Sequence, residues 1–297
     1  IPIIALTATA DKITRRDILS QLRLKDPKIF ISSFDRPNLQ LSVLPAKKRI
    51  DRIIQFVQKR KNESGIIYCL SRKQTEHVSD VLVRNGIRAT YYHAGMYPNE
   101  RASAQDDFIH GKINVIVATV AFGMGIDKSN VRYVIHHNLP KNLEGYYQEI
   151  GRAGRDGLPS EALLFYSLAD VVLLKKFAVE SGQPQLQIAK LERMQQFADA
   201  LICRRRILLS YFGEEVTKDC HNCDVCENPP ELFDGTKIAQ IALSAIARTK
   251  QDVAIGMLID ILRGSEKQDL LSHGFNTIKT YGAGKHISID DWQQYIL

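Results

Sequence analysis

Cys203, Cys220, Cys223 and Cys226 follow one another as C-x16-C-x2-C-x2-C. Thiolates at this spacing can converge on one soft cation, and four of them leave a tetrahedral Zn2+ no open position, so the chemistry is structural. Such a site contributes on the order of 10 kcal/mol or more to the folding of a small module. The competing reading is four unbound buried thiols. His221 stands between two of the ligands and reads as a spectator, and the fifth cysteine, Cys69 in GIIYCL, reads as a core residue. An odd cysteine count with tight CxxC spacing and no secretion signal points to a reducing compartment and a metal, and excludes a secreted disulfide scaffold.

A second cluster stands in YYQEIGRAGRDG, residues 146–157. A helix beginning near Leu143 carries Gln148, Arg152 and Arg155 at helical spacing along one face. Gly151, Gly154 and Gly157 remove side chains where a backbone or a phosphate must come close. A held guanidinium is a fixed fork of donors suited to phosphate oxygens. A surface helix end with cations placed for its dipole accounts for the arginines but not for the glycines in register with them.

The elements that must position these residues follow from periodicity. Continuous β-branched runs (GIIYCL, ATYYH, NVIVAT, VRYVIHH and ALLFYS) alternate with helical patterns over Ile50–Val57, Thr75–Arg84 and Asn99–Ile109. This predicts an α/β fold whose parallel sheet is covered on both faces. In such sheets, sites form in the loops after the strands, here LSRK, HAG, ATVAFGMGID and NLP. Upstream, IPIIALTATA reads as a buried strand, residues 11–22 as a helix capped by Asp11, IFISS as a short strand, and FDRPNLQLSV as an extended segment able to link two domains. Residues 170–213 read as helices divided at Pro184, with Leu191, Met194, Ala198 and Leu201 on a core stripe. Two apolar-periodic helices, about 236–248 and 253–263, precede TYGAGK and a segment around Trp292.

The 297 residues suffice for two or three domains, and a net charge of +7 favours polyanionic partners. The clusters Arg15-Arg16, Lys47-Lys48-Arg49, Lys59-Arg60-Lys61 and Arg204-Arg205-Arg206, taken singly, read as solvated faces. The longest apolar stretch, Val115–Ile126, is too short to span a bilayer. The chain opens without Met inside an apolar run and reads as part of a longer polypeptide.

Taken together, ALTATA, IIYCLSRKQTE, YYHAGM, VIVATVAFGMGIDKSNVRYVIHHNLP and YYQEIGRAGRDGLPSEALLFYS resemble motifs III to VI of superfamily 2 helicases. With the cysteine module and the segment from Asp234, the whole chain resembles the RecQ family of DNA helicases. The resemblance implies a RecA-like fold and four regions: 1–34 as the end of a first RecA-like domain, 35–170 as the second, 171–232 as a helical zinc-binding domain, and 233–297 as a winged helix whose β-wing is incomplete. It implies ATP-dependent 3′→5′ DNA unwinding in recombination and repair. Arg155 would be an arginine finger on the ATP γ-phosphate, Arg152 a second phosphate contact or a brace, and Gln148 a nucleotide-positioning or coupling residue. Asp127 and Gly125 would lie at the nucleotide, with Asp127 on the ribose or orienting the finger. Ser71, Arg72, His93 and Thr119 would meet the DNA backbone, and Thr7 and Thr9 would couple nucleotide state to DNA grip or serve as turn caps. Implied ligands are structural Zn2+, with ATP and Mg2+ held mainly by the first domain. Implied partners are single-stranded and junction DNA and a single-stranded-DNA-binding protein, with no membrane. The implied location is cytoplasmic, and nucleoid-associated in a bacterium. No GxxxxGK[ST] loop or DEAH-like motif occurs in these residues. The alternative is a non-catalytic DNA-binding module with a structural zinc site; an RNA helicase is a weaker third reading.

Overall fold

Strand-forming runs with alternating burial set the architecture. The structure is a computed structural model that describes residues 3–7, 12–24, 27–123, 127–231, 233–250 and 252–296. The chain divides into two compact units, Ile1–Pro230 and Glu231–Leu297.

In the first unit the strands are β1 (Leu39–Pro45), β2 (Ser64–Tyr68), β3 (Ala89–Tyr92), β4 (Val115–Ala118), β5 (Val131–His136) and β6 (Ser160–Tyr166). They form a six-stranded, all-parallel sheet in the order β1-β6-β5-β2-β4-β3. Alternate residues feed two cores. Ile67, Val115, Val117, Tyr133, Ile135, Leu163 and Phe165 pack under α2 (Arg49–Gln58) and α3 (Arg72–Arg84). Ile66, Tyr68, Ile116, Ala118, Val134, Ala162 and Leu164 face the other way. That side is covered by α4 (Pro98–Ile109), α5 (Leu143–Ile150), α6 (Leu168–Val179), α7 (Pro184–Asp199) and α8 (Arg204–Tyr211). Continuous apolar runs are therefore explained by burial on both faces.

Several expectations are corrected. The segment read as a linker forms β1, an edge strand in register with β6 from Leu39↔Ser160 to Pro45↔Tyr166. Residues 3–7 and 29–33, read as strands, do not form strands, and Ile4, Leu6 and Phe30 are largely exposed. An apolar run prefers burial, but it becomes a strand only where a neighbouring backbone offers hydrogen bonds. The helix predicted near the N-terminus is α1 (Lys12–Gln21); its proposed cap, Asp11, lies outside the described residues. Leu191, Met194 and Ala198 are buried on α7, whereas Leu201 is exposed, because the helix stops at Asp199 and its period does not carry past that point.

The basic clusters are corrected too. Arg204 and Arg205 are buried. Arg204 Nη2 donates to Asp224 Oδ2 at 2.9 Å, and Arg205 Nη1 to Asp35 Oδ1 at 2.8 Å. Arg49 reaches Asp170 and the His137 carbonyl. A buried guanidinium needs acceptors from the protein in place of water, so these arginines hold remote segments together. Asp224, which opens α9 (Asp224–Glu227), also accepts the Val43 amide at 2.9 Å. Together with the Leu41 amide bond to Asn222, this covers the open edge of β1.

The second unit holds α10 (Thr236–Arg248), α11 (Ile255–Arg263), α12 (Gln268–Ser272) and α13 (Ile289–Ile296), close to the sequence expectation. Its core gathers Ala245, Leu258, Ile259, Leu262, Ile287 and a fully buried Trp292, whose indole donates to the Gly284 carbonyl at 3.0 Å. Its described residues contain no strand. No helix among the described residues is long and apolar enough to cross a membrane.

Removing the Asp224 carboxylate orphans a buried charge. Asp224→Ala is expected to lower unfolding free energy by about 3–5 kcal/mol, read by urea denaturation. Asp219→Ala, which frees only the half-exposed Arg206, should change little. Equal effects of the two would refute the assignment.

Candidate functional site

The four cysteines come together. Their Sγ atoms all lie within 4.8 Å of one another, with Cys220 and Cys226 at 3.9 Å. Thiolates about 2.3 Å from a tetrahedral zinc stand roughly 3.8 Å apart, so the set fits a closed site. Cys203 and Cys223 are buried, and amides point at the sulfurs: Cys220 N–H at Cys203 Sγ and Asn222 N–H at Cys220 Sγ, both 3.3 Å. Burial pushes the Cys220 and Cys226 thiols up, and binding a cation requires all four to give up their protons. Cys69 is apart from the cluster, buried on the far core.

The glycine-arginine segment differs from its expected form. α5 ends at Ile150 with Gly151 as C-cap, and residues 151–156 are turns, so only Gln148 of the three predicted residues is on the helix. Gly154 ends any continuation. It sits at φ +62°, its amide donates to the Val131 carbonyl at 2.9 Å, and an added Cβ would stand 2.4 Å from Asn38 Nδ2. That glycine is thus required by the turn and its packing, without reference to phosphate. The turn carbonyls are satisfied from outside: Arg36 Nη2 donates to Ala153 O at 2.9 Å and Gly154 O at 2.8 Å, and Asn38 Nδ2 to Gly154 O at 3.0 Å.

The two arginines then diverge. Arg152 folds inward and donates to the Gly123 carbonyl. Arg155 faces outward, with Nη1 3.7 Å from Asp127 Oδ1; the Asp127 side chain is 97% exposed. That pair is long and solvated, and an incoming anion displaces such a contact readily. Gln148 is exposed one turn before Arg152. The turn packs against the first residues of β1, β5 and β6, at one end of the sheet.

The remaining candidates stand at the other end. Ser71 and Arg72 follow β2, His93 follows β3 and Thr119 follows β4, and these three strands are neighbours. Ser71 caps α3, accepting the Gln74 amide at 3.2 Å. Arg72 is exposed and lies across Gly95. His93 is buried: Nε2 meets Glu76 Oε1 at 2.9 Å and Nδ1 accepts the Gly95 amide at 3.2 Å, so the ring shapes the loop more than it presents itself. Thr119 is half-buried, its amide bonded to the Tyr92 carbonyl at 3.2 Å. Thr7 lies in the exposed residues 3–7; Thr9 and Gly125 are outside the described residues.

Sequence reasoning missed Arg36, Asn38, Arg204, Arg205 and Asp224. The alternation Leu39, Leu41, Val43 was a readable sign that the segment after Asn38 is a strand; nothing in the sequence announced the partners of the arginines.

A parallel α/β lobe with an outward arginine at one rim, joined to a four-thiolate helical module, defines the second lobe of a superfamily 2 helicase core. Comparison with known proteins agrees: residues 48–157 match the helicase conserved C-terminal domain, 168–227 the RecQ zinc-binding domain and 229–297 the RQC domain. The chain is 45% identical over 298 residues to the ATP-dependent DNA helicase RecQ of Pasteurella multocida, covering 99% of this chain and 47% of that protein. It is 46% identical to the Haemophilus influenzae protein of the same name (99% and 48% covered) and 37% identical to that of Bacillus subtilis (99% and 50%). The chain belongs to the RecQ family and spans about half the length of the curated relatives it matches.

Two outcomes follow from this geometry. Cys223→Ser should reduce bound zinc, read by elemental analysis, and melt the module around Cys220; zinc-free but fully folded wild-type chain would count against a metal site. Gly154→Ala should cost about 1–3 kcal/mol through its positive φ, plus the clash with Asn38. Gly157→Ala, with open space around it at φ +80°, should cost less; thermal melts that rank the two the other way would refute the packing argument.

Proposed function

We propose that this chain supplies the second motor lobe, zinc module and duplex-engaging region of an ATP-driven 3′→5′ DNA helicase of RecQ type, acting in recombination and repair. The observation that carries the reading is the Arg155 turn. The guanidinium lies on an exposed part of a segment locked by Arg36 and Asn38, with Asp127 Oδ1 3.7 Å from Nη1. A cation so held is pre-organised for a phosphate arriving from a neighbouring lobe.

In this reading Arg155 is the arginine finger on the ATP γ-phosphate, and Asp127 holds it in place until nucleotide arrives. Such a finger contributes roughly 10³–10⁵ in turnover in related phosphoryl-transfer systems. Arg152 acts as the brace, since its guanidinium is spent on Gly123, and Gln148 reaches the nucleotide from the last turn of α5. The β- and γ-phosphates and Mg2+ belong to the first lobe, whose phosphate loop is not in this sequence. Ser71, Arg72 and Thr119 contact the phosphates of the tracking strand, which reads charge and not sequence; His93 holds their neighbouring loop. Thr7 and Thr9 link the two lobes. Zn2+ on Cys203, Cys220, Cys223 and Cys226 is structural. Residues 1–34, 35–170, 171–232 and 233–297 serve as first-lobe end, second lobe, zinc domain and winged helix. Junction DNA is the substrate, a single-stranded-DNA-binding protein a partner, and the cytoplasmic nucleoid the location in a bacterium.

The 297-residue chain by itself should show negligible DNA-stimulated ATP hydrolysis; robust turnover would refute the division of labour. In the full-length protein Arg155→Ala should lower kcat by roughly 10³ or more, with ATP binding little changed. Retained turnover would refute the finger, and absence of turnover in the unaltered full-length protein would favour the non-catalytic DNA-binding reading. Tighter binding to RNA forks than DNA forks at matched salt would favour the RNA helicase.

A further inference from the structure

Tyr68 is the last residue of β2 and is 3% exposed. Its hydroxyl donates to the Phe122 carbonyl at 3.1 Å. Burial raises the phenol pKa far above its ordinary value, against a smaller lowering by the nearby Arg152, so the group keeps the proton it donates. Arg152 in turn donates to the Gly123 carbonyl. Gly123 sits at φ +148°, where an added Cβ would stand 2.1 Å from Arg152 Nη2. The main chain at 122–123 is thus gripped by Tyr68 and Arg152 together.

That grip joins two regions. On one side, the Phe122 amide donates to the Thr119 carbonyl at 3.0 Å, and Thr119 belongs to the rim of strand-end loops. On the other, Arg152 is three residues before Arg155, on the turn that Arg36 fixes. The contact is also supported from beneath: the Tyr68 ring stacks on His136 at 5.4 Å, and His136 Nε2 meets Glu149 Oε2, on the last turn of α5, at 2.7 Å.

We propose that Tyr68 is a positioning residue which, by holding the Phe122 carbonyl next to the Gly123 carbonyl that Arg152 takes, couples occupation of the Thr119 loop by DNA to the placing of Arg155; this rests on the helicase reading above. A DNA phosphate that shifts residues 119–123 moves the two carbonyls together and with them the brace behind the finger. The role is distinct from binding, since Tyr68 touches neither nucleotide nor DNA.

The test is steady-state ATP hydrolysis by the full-length protein with and without single-stranded DNA. Tyr68→Phe keeps the ring and its stack and removes only the hydroxyl. DNA-stimulated kcat should fall about tenfold, as for loss of one buried hydrogen bond, with KM for ATP and Kd for DNA within about twofold of wild type. Gly123→Ala, which crowds Arg152 from the other side, should give the same split and serves if Tyr68→Phe melts early. Unchanged kcat in the variant that folds overturns the proposal, as does a parallel rise in KM and Kd, the mark of general loosening. Arg155→Ala runs alongside. If it turns over normally, the finger reading falls and takes the coupling with it; if it is inactive while Tyr68→Phe is normal, the coupling alone falls.

Discussion

One guanidinium holds the turn on which the site depends. Beyond α5 the carbonyls of the turn have no helical partners and need donors from elsewhere. Arg36 supplies them, to Gly151 at 3.4 Å, Ala153 at 2.9 Å and Gly154 at 2.8 Å. The turn therefore has little conformation of its own. Its shape, and so the direction of Arg155, is imposed by a side chain more than a hundred residues earlier. Arg36 is held in its turn: Arg205 donates to the Arg36 and Leu39 carbonyls, and Phe34, stacked on Phe212 at 4.5 Å, has its carbonyl taken by Tyr147 Oη at 2.9 Å. A segment without regular structure is made rigid by its partners.

The parallel sheet separates two kinds of surface. All strands run one way, so every strand-end loop lies at one rim, while the arginine turn packs against strand beginnings at the other. On the proposed helicase reading, the arginine rim faces nucleotide and the strand-end rim faces nucleic acid, both carried by one sheet. α5 crosses between them along one face of the sheet, pinned by the buried His136–Glu149 pair. Signals between the rims have a short route through packed, fully formed contacts.

How far the sequence could be read follows from the range of the interactions. Strands β2 to β6 and helices α2 to α4 were legible because their periods are local and their burial is two-sided. The cysteine cluster was legible because three of its ligands are close in sequence and one soft-metal geometry fits them. β1 was missed because Pro37 and Asn38 look like a linker, and the partner that makes the next residues a strand lies 121 positions away at Ser160. The arginine helix was drawn too long because glycine spacing alone does not distinguish a phosphate seat from a positive φ. Arg204 and Arg205 were taken for solvated charges because their acceptors, Asp224, Asp35 and main-chain carbonyls, are brought near only by the fold.

The zinc module belongs to the same chain of constraints. Cys203 is the N-cap of α8, so a metal held there fixes where that helix begins. The next two residues are Arg204 and Arg205. Arg204 takes Asp224, which sits between ligands Cys223 and Cys226, and Arg205 takes the carbonyls that orient Arg36. A closed four-thiolate site has no open position for chemistry, and none is needed. Its work is to set the register of two arginines, one securing the module to the sheet edge and the other securing the segment that aims Arg155.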